Sequence, residues 1–171
     1  VLFRSNNYLF FNPKLGVNYR INGNQRAYLV AGINSREPVR FDIMSAYANG
    51  DTIKPETMLD VELGYQIAHN RWAFNANLYA MLYKDQMTPN GDVLTGYALM
   101  ENVDKSYRLG VELEGGYKFT DWFRMDANLT LSMNKVLDLT YFVFETGDTV
   151  QQAVTGTTDL ALSPSVVGAA I

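Results

Sequence analysis

The chain has 171 residues, no cysteine, a single histidine and a formal charge of −4. That acidic balance argues against a nucleic-acid surface, which is normally basic, and one histidine without cysteine leaves little from which to build a metal or thiol site. Hydrophobic residues make up 47% of the chain, yet no apolar run reaches the roughly 20 residues that a membrane helix needs, so spanning by helices is excluded.

Six segments alternate apolar and polar residues, and side chains of a strand point alternately to its two faces. Residues 14 to 21 set Leu15, Val17, Tyr19 and Ile21 against Lys14, Gly16, Asn18 and Arg20. Residues 26 to 34 set Ala27, Leu29, Ala31 and Ile33 against Arg26, Tyr28, Val30, Gly32 and Asn34. The third segment, 58 to 67, places Leu59, Val61, Leu63, Tyr65 and Ile67 opposite Asp60, Glu62, Gly64 and Gln66. In the fourth, 72 to 83, Trp72, Phe74, Ala76, Leu78, Ala80 and Leu82 oppose Asn75, Asn77, Tyr79 and Tyr83. The fifth, 106 to 118, divides Tyr107, Leu109, Val111, Leu113 and Tyr117 from Arg108, Gly110, Glu112, Glu114 and Lys118. The sixth, 122 to 133, divides Phe123, Met125, Ala127, Leu129, Leu131 and Met133 from Trp122, Arg124, Asp126, Asn128, Thr130 and Ser132. No charged residue falls on the six apolar faces. A seventh strand begins in 165 to 171.

The links between segments alternate in length. Asn22 to Asn24, Ala68 to Arg71 and the stretch around Thr120 are short and turn-forming, whereas 35 to 57, 88 to 105 and 136 to 160 are long. Short turns on one rim and long loops on the other mark the wall of an outer-membrane barrel. Tyr19, Tyr65, Trp72, Tyr117 and Phe123 all lie near the short-turn ends, as a girdle of interfacial aromatics would. The expected fold is therefore all-β: an antiparallel up-and-down transmembrane β-barrel, partial, with six full strands and part of a seventh, short periplasmic turns and long extracellular loops. The smallest such barrels have about 8 strands, so residues 1–171 are expected to be a fragment whose edges pair with further sequence.

Several stretches resemble the C-terminal barrel half of TonB-dependent outer-membrane receptors. They are the run Phe11 to Tyr19; Ser35-Arg36-Glu37-Pro38 followed by Arg40-Phe41-Asp42; Lys54-Pro55-Glu56-Thr57 leading into Glu62-Leu63-Gly64-Tyr65; Asn77-Leu78-Tyr79 with Tyr83-Lys84-Asp85-Gln86; and the run Ser106 to Glu114. The resemblance implies a barrel of about 22 strands with a plugged lumen, in the outer membrane of a Gram-negative bacterium. It implies uptake of a scarce ligand, whether metal chelate, vitamin, glycan or peptide, with no enzyme chemistry and no cofactor. The implied partners are membrane lipid, a plug domain of the same full-length chain and the TonB energy-coupling complex. Neither a plug nor an energy-coupling box lies in these residues.

Two sets of candidate site residues follow. Arg36, Arg40 and Asp42, with Tyr141 and Phe142, stand on expected extracellular loops and are placed to meet a ligand. The blander readings are a loop-anchoring charge cluster for the first three and a hairpin above the membrane, turning at Gly147-Asp148, for the aromatic run. Asp60, Glu62, Asn75, Asn77, Arg108, Glu112, Glu114, Arg124, Asp126 and Asn128 are expected to face the lumen, where a hydrated wall of interleaved ion pairs is the plain reading and a conducting path or plug clamp the sharper one. Paired acids such as Glu112 and Glu114 lack any accompanying nucleophile constellation. His69 reads as a solvated turn residue. A plugless porin is the alternative from the same architecture, and a soluble β-sandwich, which also alternates, is the distant one.

Overall fold

The computed structural model describes residues 7–48, 50, 52–94, 97–144, 151–160 and 163–170. In chain order the elements are β1 (Lys14–Arg20), β2 (Gln25–Arg36), α1 (Arg40–Ala48), β3 (Glu56–Ala68), β4 (Trp72–Leu94), β5 (Tyr97–Lys118), β6 (Arg124–Phe144), β7 (Gln151–Asp159) and β8 (Val166–Ala170). They form a single sheet in the order β1-β2-β3-β4-β5-β6-β7, each strand antiparallel to its neighbours, with β8 also on β6. From β1 to β7 every strand lies beside the next in sequence, which is an up-and-down meander. The described sheet is open, with β1 on one edge and β7 and β8 on the other.

The register carries the alternation of each strand across the whole sheet. One transverse row reads Val17, Leu29, Leu63, Leu78, Val111, Leu131 and Val166; the adjoining row on the opposite face reads Asn18, Tyr28, Gly64, Asn77, Glu112, Thr130 and Val167. A one-residue slip anywhere would mix the faces. Leu15 (73% exposed), Val17, Leu63 and Leu78 stand open on the apolar face, and among the described residues only Met87, Val103, Val136 and Leu160 are buried apolar residues. A sheet with a continuous uncovered apolar face and almost no core has its apolar side matched to a nonaqueous surrounding rather than to a second protein layer.

The aromatic residues near the short-turn rim are staggered across the sheet. The transverse row through Tyr19 and Tyr65 meets β6 at Leu129, whereas Phe123 lies six residues nearer that rim. Six residues are about 20 Å and five strand spacings about 24 Å. The level of the aromatics from Tyr19 to Phe123 thus descends by about 20 Å over about 24 Å of sheet, the direction of stagger that tilted barrel strands produce. Trp72 and Tyr117, which are direct cross-strand partners, fall between those limits.

The turns on that rim are laced together. Asn22 Oδ1 accepts the Asn24 N–H at 2.9 Å, an Asx turn, and Asn24 Nδ2 lies 3.0 Å from His69 Nδ1 in the next turn. The His69 ring packs on Trp72 with centroids 4.8 Å apart, so this residue is engaged rather than merely solvated. Trp122 lies in the turn before β6 and is 86% exposed, not on the polar face of the strand.

The other rim departs from the expected loops. β4 and β5 continue as paired strands through most of 88 to 105, with Thr88 opposite Glu101, and β6 and β7 do the same over 139–144 and 151–156. Among the described residues, only 35 to 57 is a long connection, and it contains α1. Asp42 Oδ2 accepts the Val39 N–H at 3.3 Å, the backward half of a capping box, which accounts for where the helix starts. β7 and β8 run in the same direction along β6, so they are two parts of one seventh strand. Their registers differ by three residues: Lys135 pairs with Asp159, and Leu131 with Val166.

Candidate functional site

Two places gather polar side chains, and the first is the polar face of the wall. All ten residues expected there share that face, because each lies at the alternate positions opposite the apolar rows. Hydrogen bonds engage several of them, across strands and, for Arg124 and Asp126, along one strand. Asn77 Nδ2 donates to Glu112 Oε2 at 3.4 Å and Asn75 Nδ2 to Glu114 Oε2 at 3.4 Å. Arg124 donates from Nε at 3.0 Å, and from Nη2, to Asp126 Oδ1. Asn128 Oδ1 accepts the Ala169 N–H at 3.0 Å. Tyr28, a strand further, donates to Asn77 Oδ1 at 3.2 Å.

Two glycines of this face are covered by tyrosines from the adjacent strand. A Cβ on Gly64 would lie 2.0 Å from Tyr28 Cζ, and one on Gly110 would lie 2.3 Å from Tyr79 Cζ. Each ring lies flat where a side chain would stand, an arrangement that rescues glycine in a curved sheet. The polar face thus has a tyrosine ring over each of two glycines that alternation alone leaves unexplained.

Asp60 and Arg108 are different. They lie in one transverse row with Met81 between them, and Asp60 Oδ1 and Arg108 Nε are buried with no hydrogen-bond partner among the described residues. The Arg108 guanidinium is poised 5.6 Å from the centre of the Tyr83 ring, a cation–π contact. Arg108, Glu62 and Glu112 line one recess, whose far wall is Ser163 and Pro164.

The second place is the outer end of β3, β4 and β5. Pro55 has no N–H to donate, and the β3–β4 ladder stops at Thr57 opposite Lys84. Side chains take over beyond it. Asn102 Oδ1 accepts the Lys54 N–H at 2.7 Å, and its Nδ2 donates to the carbonyls of Lys54 at 3.0 Å and Asp85 at 2.8 Å. Lys54 Nζ pairs with Asp85 at 3.3 Å. Glu56 Oε2 accepts from Arg36 at 3.1 Å and from the Met87 N–H at 3.0 Å. The Lys-Pro-Glu-Thr and Tyr-Lys-Asp-Gln stretches are therefore the two halves of one clamp.

Asp85 has φ of 51°, the left-handed region that Asp tolerates better than most. Alternation breaks beside it. Gln86 and Val103 would extend the apolar face, but Ser106 Oγ donates to Gln86 Oε1, and Val103 is buried with Val136 and Leu160. Neither Asn102 nor Asp85 stood out in the sequence as a tie. The proline stopping a ladder was the available signal.

Of the expected loop residues, Arg36 is held by Glu56 and Asp42 caps α1, while Arg40 is exposed at the start of α1. Tyr141 and Phe142 are strand residues opposite Val154 and Ala153; their side chains lie outside the described set. The hairpin expected for this run is present in the backbone pairing, with its turn, including Gly147 and Asp148, outside the described residues. Among the described residues no three His, Cys, Asp or Glu side chains are grouped to hold a metal ion, and no helix is long and apolar enough to cross a membrane.

An open antiparallel meander with one continuous apolar face and one hydrogen-bonded polar face has the form of a section of a membrane β-barrel wall. The family described as "TonB dependent receptor-like, beta-barrel" matches residues 2–169, and the chain belongs to that family. Among solved structures it is similar to one titled "Copper transporter OprC", with 21% identity, a TM-score of 0.59, and coverage of 71% of this chain and 20% of that one. It is likewise similar to "The FrpB iron transporter from Neisseria meningitidis (F3-3 variant)", with 18% identity, a TM-score of 0.58, and coverage of 74% of this chain and 20% of that one. The chain thus spans about a fifth of the length of these structures. No curated protein sequence matches it.

Proposed function

We propose that this chain is part of the wall and outer connections of an energised outer-membrane transporter, which imports a scarce ligand and carries out no catalysis. The observation that carries the proposal is the family match over 2–169 on a sheet whose apolar face is uncovered. On this reading the apolar face meets lipid and the polar face lines the lumen of a larger barrel, with the α1 rim outside the cell.

A plug domain supplied by the full-length chain would lie against the polar face, and the TonB energy-coupling complex would act on that plug. Asp60 Oδ1 and Arg108 Nε, atoms of half-buried charged side chains that have no hydrogen-bond partner among the described residues, support such a neighbour. Arg40, with Tyr141 and Phe142, remains the set of outer residues proposed to meet ligand. Arg36 and Asp42 would act on it only indirectly, by holding the connection. The ligand is a metal chelate, vitamin, glycan or peptide; the two similar structures are titled as copper and iron transporters, at identities that carry the fold alone.

The test is to express the complete reading frame and fractionate the membranes. Heat-modifiable outer-membrane protein with a globular plug upstream is the expected result. The same fractionation without a plug would turn the reading to a porin, and a soluble product would overturn the assignment of the apolar face to lipid.

A further inference from the structure

The charges of the polar face are sorted along the strands. Its middle carries Asp60, Glu62 and Glu112 with Arg108, whereas the polar-face positions near the short turns carry Arg20, Arg26, Arg71, Lys118 and Arg124. Arg20 is directly opposite Arg26, and Lys118 directly opposite Arg124; like charges so placed destabilise a sheet. Arg71 adjoins them, since the Lys118 N–H donates to the Arg71 carbonyl at 2.7 Å. Asp121 pairs with Lys118 and Asp126 with Arg124. Arg26 donates to the neutral side chain of Gln66, and neither it nor the exposed Arg71 has an ion-pair partner among the described residues.

Between Arg71 and Lys118 on the rim and the row of Gln66, Asn75 and Glu114 further in lies a row of small residues, Ala68, Ala73 and Gly116. The flanking positions, Arg71 and Asn75 or Lys118 and Glu114, are four residues apart, about 13 Å, which is room for one extended chain. A recess of about 400 Å³ runs over this floor. At its β6 end Asp126 lies over Gly116, where a Cβ would run into its carboxylate, and Arg124 Nη2 is 3.2 Å from the same point. On the inner flank Asn75 Nδ2 donates to Glu114, while Asn75 Oδ1 is buried with no hydrogen-bond partner among the described residues. The trough is thus cationic along the rim, short of a donor along its inner side, and floored by side chains too small to fill it.

We infer that this trough seats an extended acidic segment of the full-length chain from outside residues 1–171, with its main chain over Ala68, Ala73 and Gly116 and its carboxylates at Arg26 and Arg71. The inference rests on the transporter reading above, in which a plug lies against this face, and adds to it a place and a chemistry for one contact. Carboxylates relieve the facing cations, and peptide N–H groups supply the donor that Asn75 lacks. This chain spans about a fifth of the length of the similar structures, which leaves ample chain for such a segment. A segment of the same polypeptide is held at high effective concentration, so a shallow and exposed trough is enough to bind it.

The test uses the full-length protein in outer membranes, with the photo-crosslinking residue p-benzoylphenylalanine placed at Ala73 and, in a second protein, at Ala68. After illumination and digestion, mass spectrometry identifies the captured peptide. Both positions are expected to capture one peptide of the same chain that is rich in Asp and Glu. Arg26→Gln with Arg71→Gln should lower that yield about tenfold, as the loss of one charge-assisted hydrogen bond implies. Capture of a neutral or basic peptide, of a separate protein or of nothing by heat-modifiable protein would overturn the inference. So would an unchanged yield in the double variant, or equal capture from Ala80 on the apolar face. Fractionation of wild type and its complete reading frame test the transporter reading separately: a barrel without a plug fails that reading, whereas a plug captured through a neutral or basic segment fails this inference alone.

Discussion

The lower wall and the outer shoulder of this sheet are built from the same strands by opposite rules. In the wall, between the short turns and the level of Tyr83, apolar side chains point away from the sheet with nothing over them, and polar side chains bond across strands. In the shoulder, where β4, β5 and β6 continue outward, Val103, Val136 and Leu160 are turned together and buried, and the strands are tied to the β2–β3 connection by Asn102, Asp85 and Glu56. The difference teaches where each region draws its stability. The wall depends on the contrast between two surroundings, and the shoulder carries a small core and a polar clamp of its own.

The largest effect that would break this comparison is charge on the wall's apolar face. Leu129→Arg in the full-length barrel, refolded into lipid and titrated with urea, should cost about 2–4 kcal/mol, while Asn128→Arg next to it should cost little. Equal losses would mean that the two faces see the same medium. In the shoulder, Asn102→Ala should cost about 1 kcal/mol, because it removes three hydrogen bonds to the Lys54 N–H and two carbonyls, of which only the one to Asp85 is partly shielded from water. Hydrogen exchange should rise at Lys54 and Met87 and stay unchanged at Leu78 and Val111; exchange spreading into the wall would show that the regions are not separate.

A smaller effect tests the ring-covered glycines. Gly110→Ala forces the Tyr79 ring aside and should cost about 1 kcal/mol, and in a Tyr79→Ala background most of that cost should disappear. Additive losses would show that the ring does not depend on the missing side chain. Smallest of all, Lys118→Ala on the rim should change stability by less than about 0.5 kcal/mol, with the difference fading at high salt.

The same contrast explains what was legible in the sequence. Leu59 to Ile67 and Met125 to Met133 could be read strand by strand because oil and water lie on opposite sides of them, which forces a period of two. Asn75, Asn77, Glu112 and Glu114 fell on one face for that reason, although nothing in the sequence says that Asn75 meets Glu114 or that Asn77 meets Glu112. Above Tyr83 the two faces no longer divide oil from water, the period disappears, and Thr88-Pro89-Asn90-Gly91 reads as loop although β4 passes through it. Thr88 and Pro89 lie opposite Glu101 and Met100 on β5, a backbone pairing that leaves no mark on the side-chain pattern. α1 was missed because Arg40 to Ala48 has no apolar stripe; Asp42 was noticed as a charge, but its capping role depends on Val39 three residues before it. Asn102 was invisible because its partners are main-chain atoms 17 and 48 residues away.

The three-residue register change between β7 and β8 leaves a mark on the space beside the wall. Ser132 Oγ donates to the Pro164 carbonyl at 2.8 Å and Asn134 Nδ2 donates to Ser132 Oγ at 2.9 Å, which fixes Ser163 and Pro164 over the polar face beside Arg108 and Glu112. Because three is odd, the faces also exchange parity: Thr158 and Val167 point the same way. On the proposed lumenal reading, the bore at this height is not smooth but has a ledge, braced from below by β6. Anything passing along Arg108 on that reading would meet that ledge, a feature set by a strand's broken register and not by a loop.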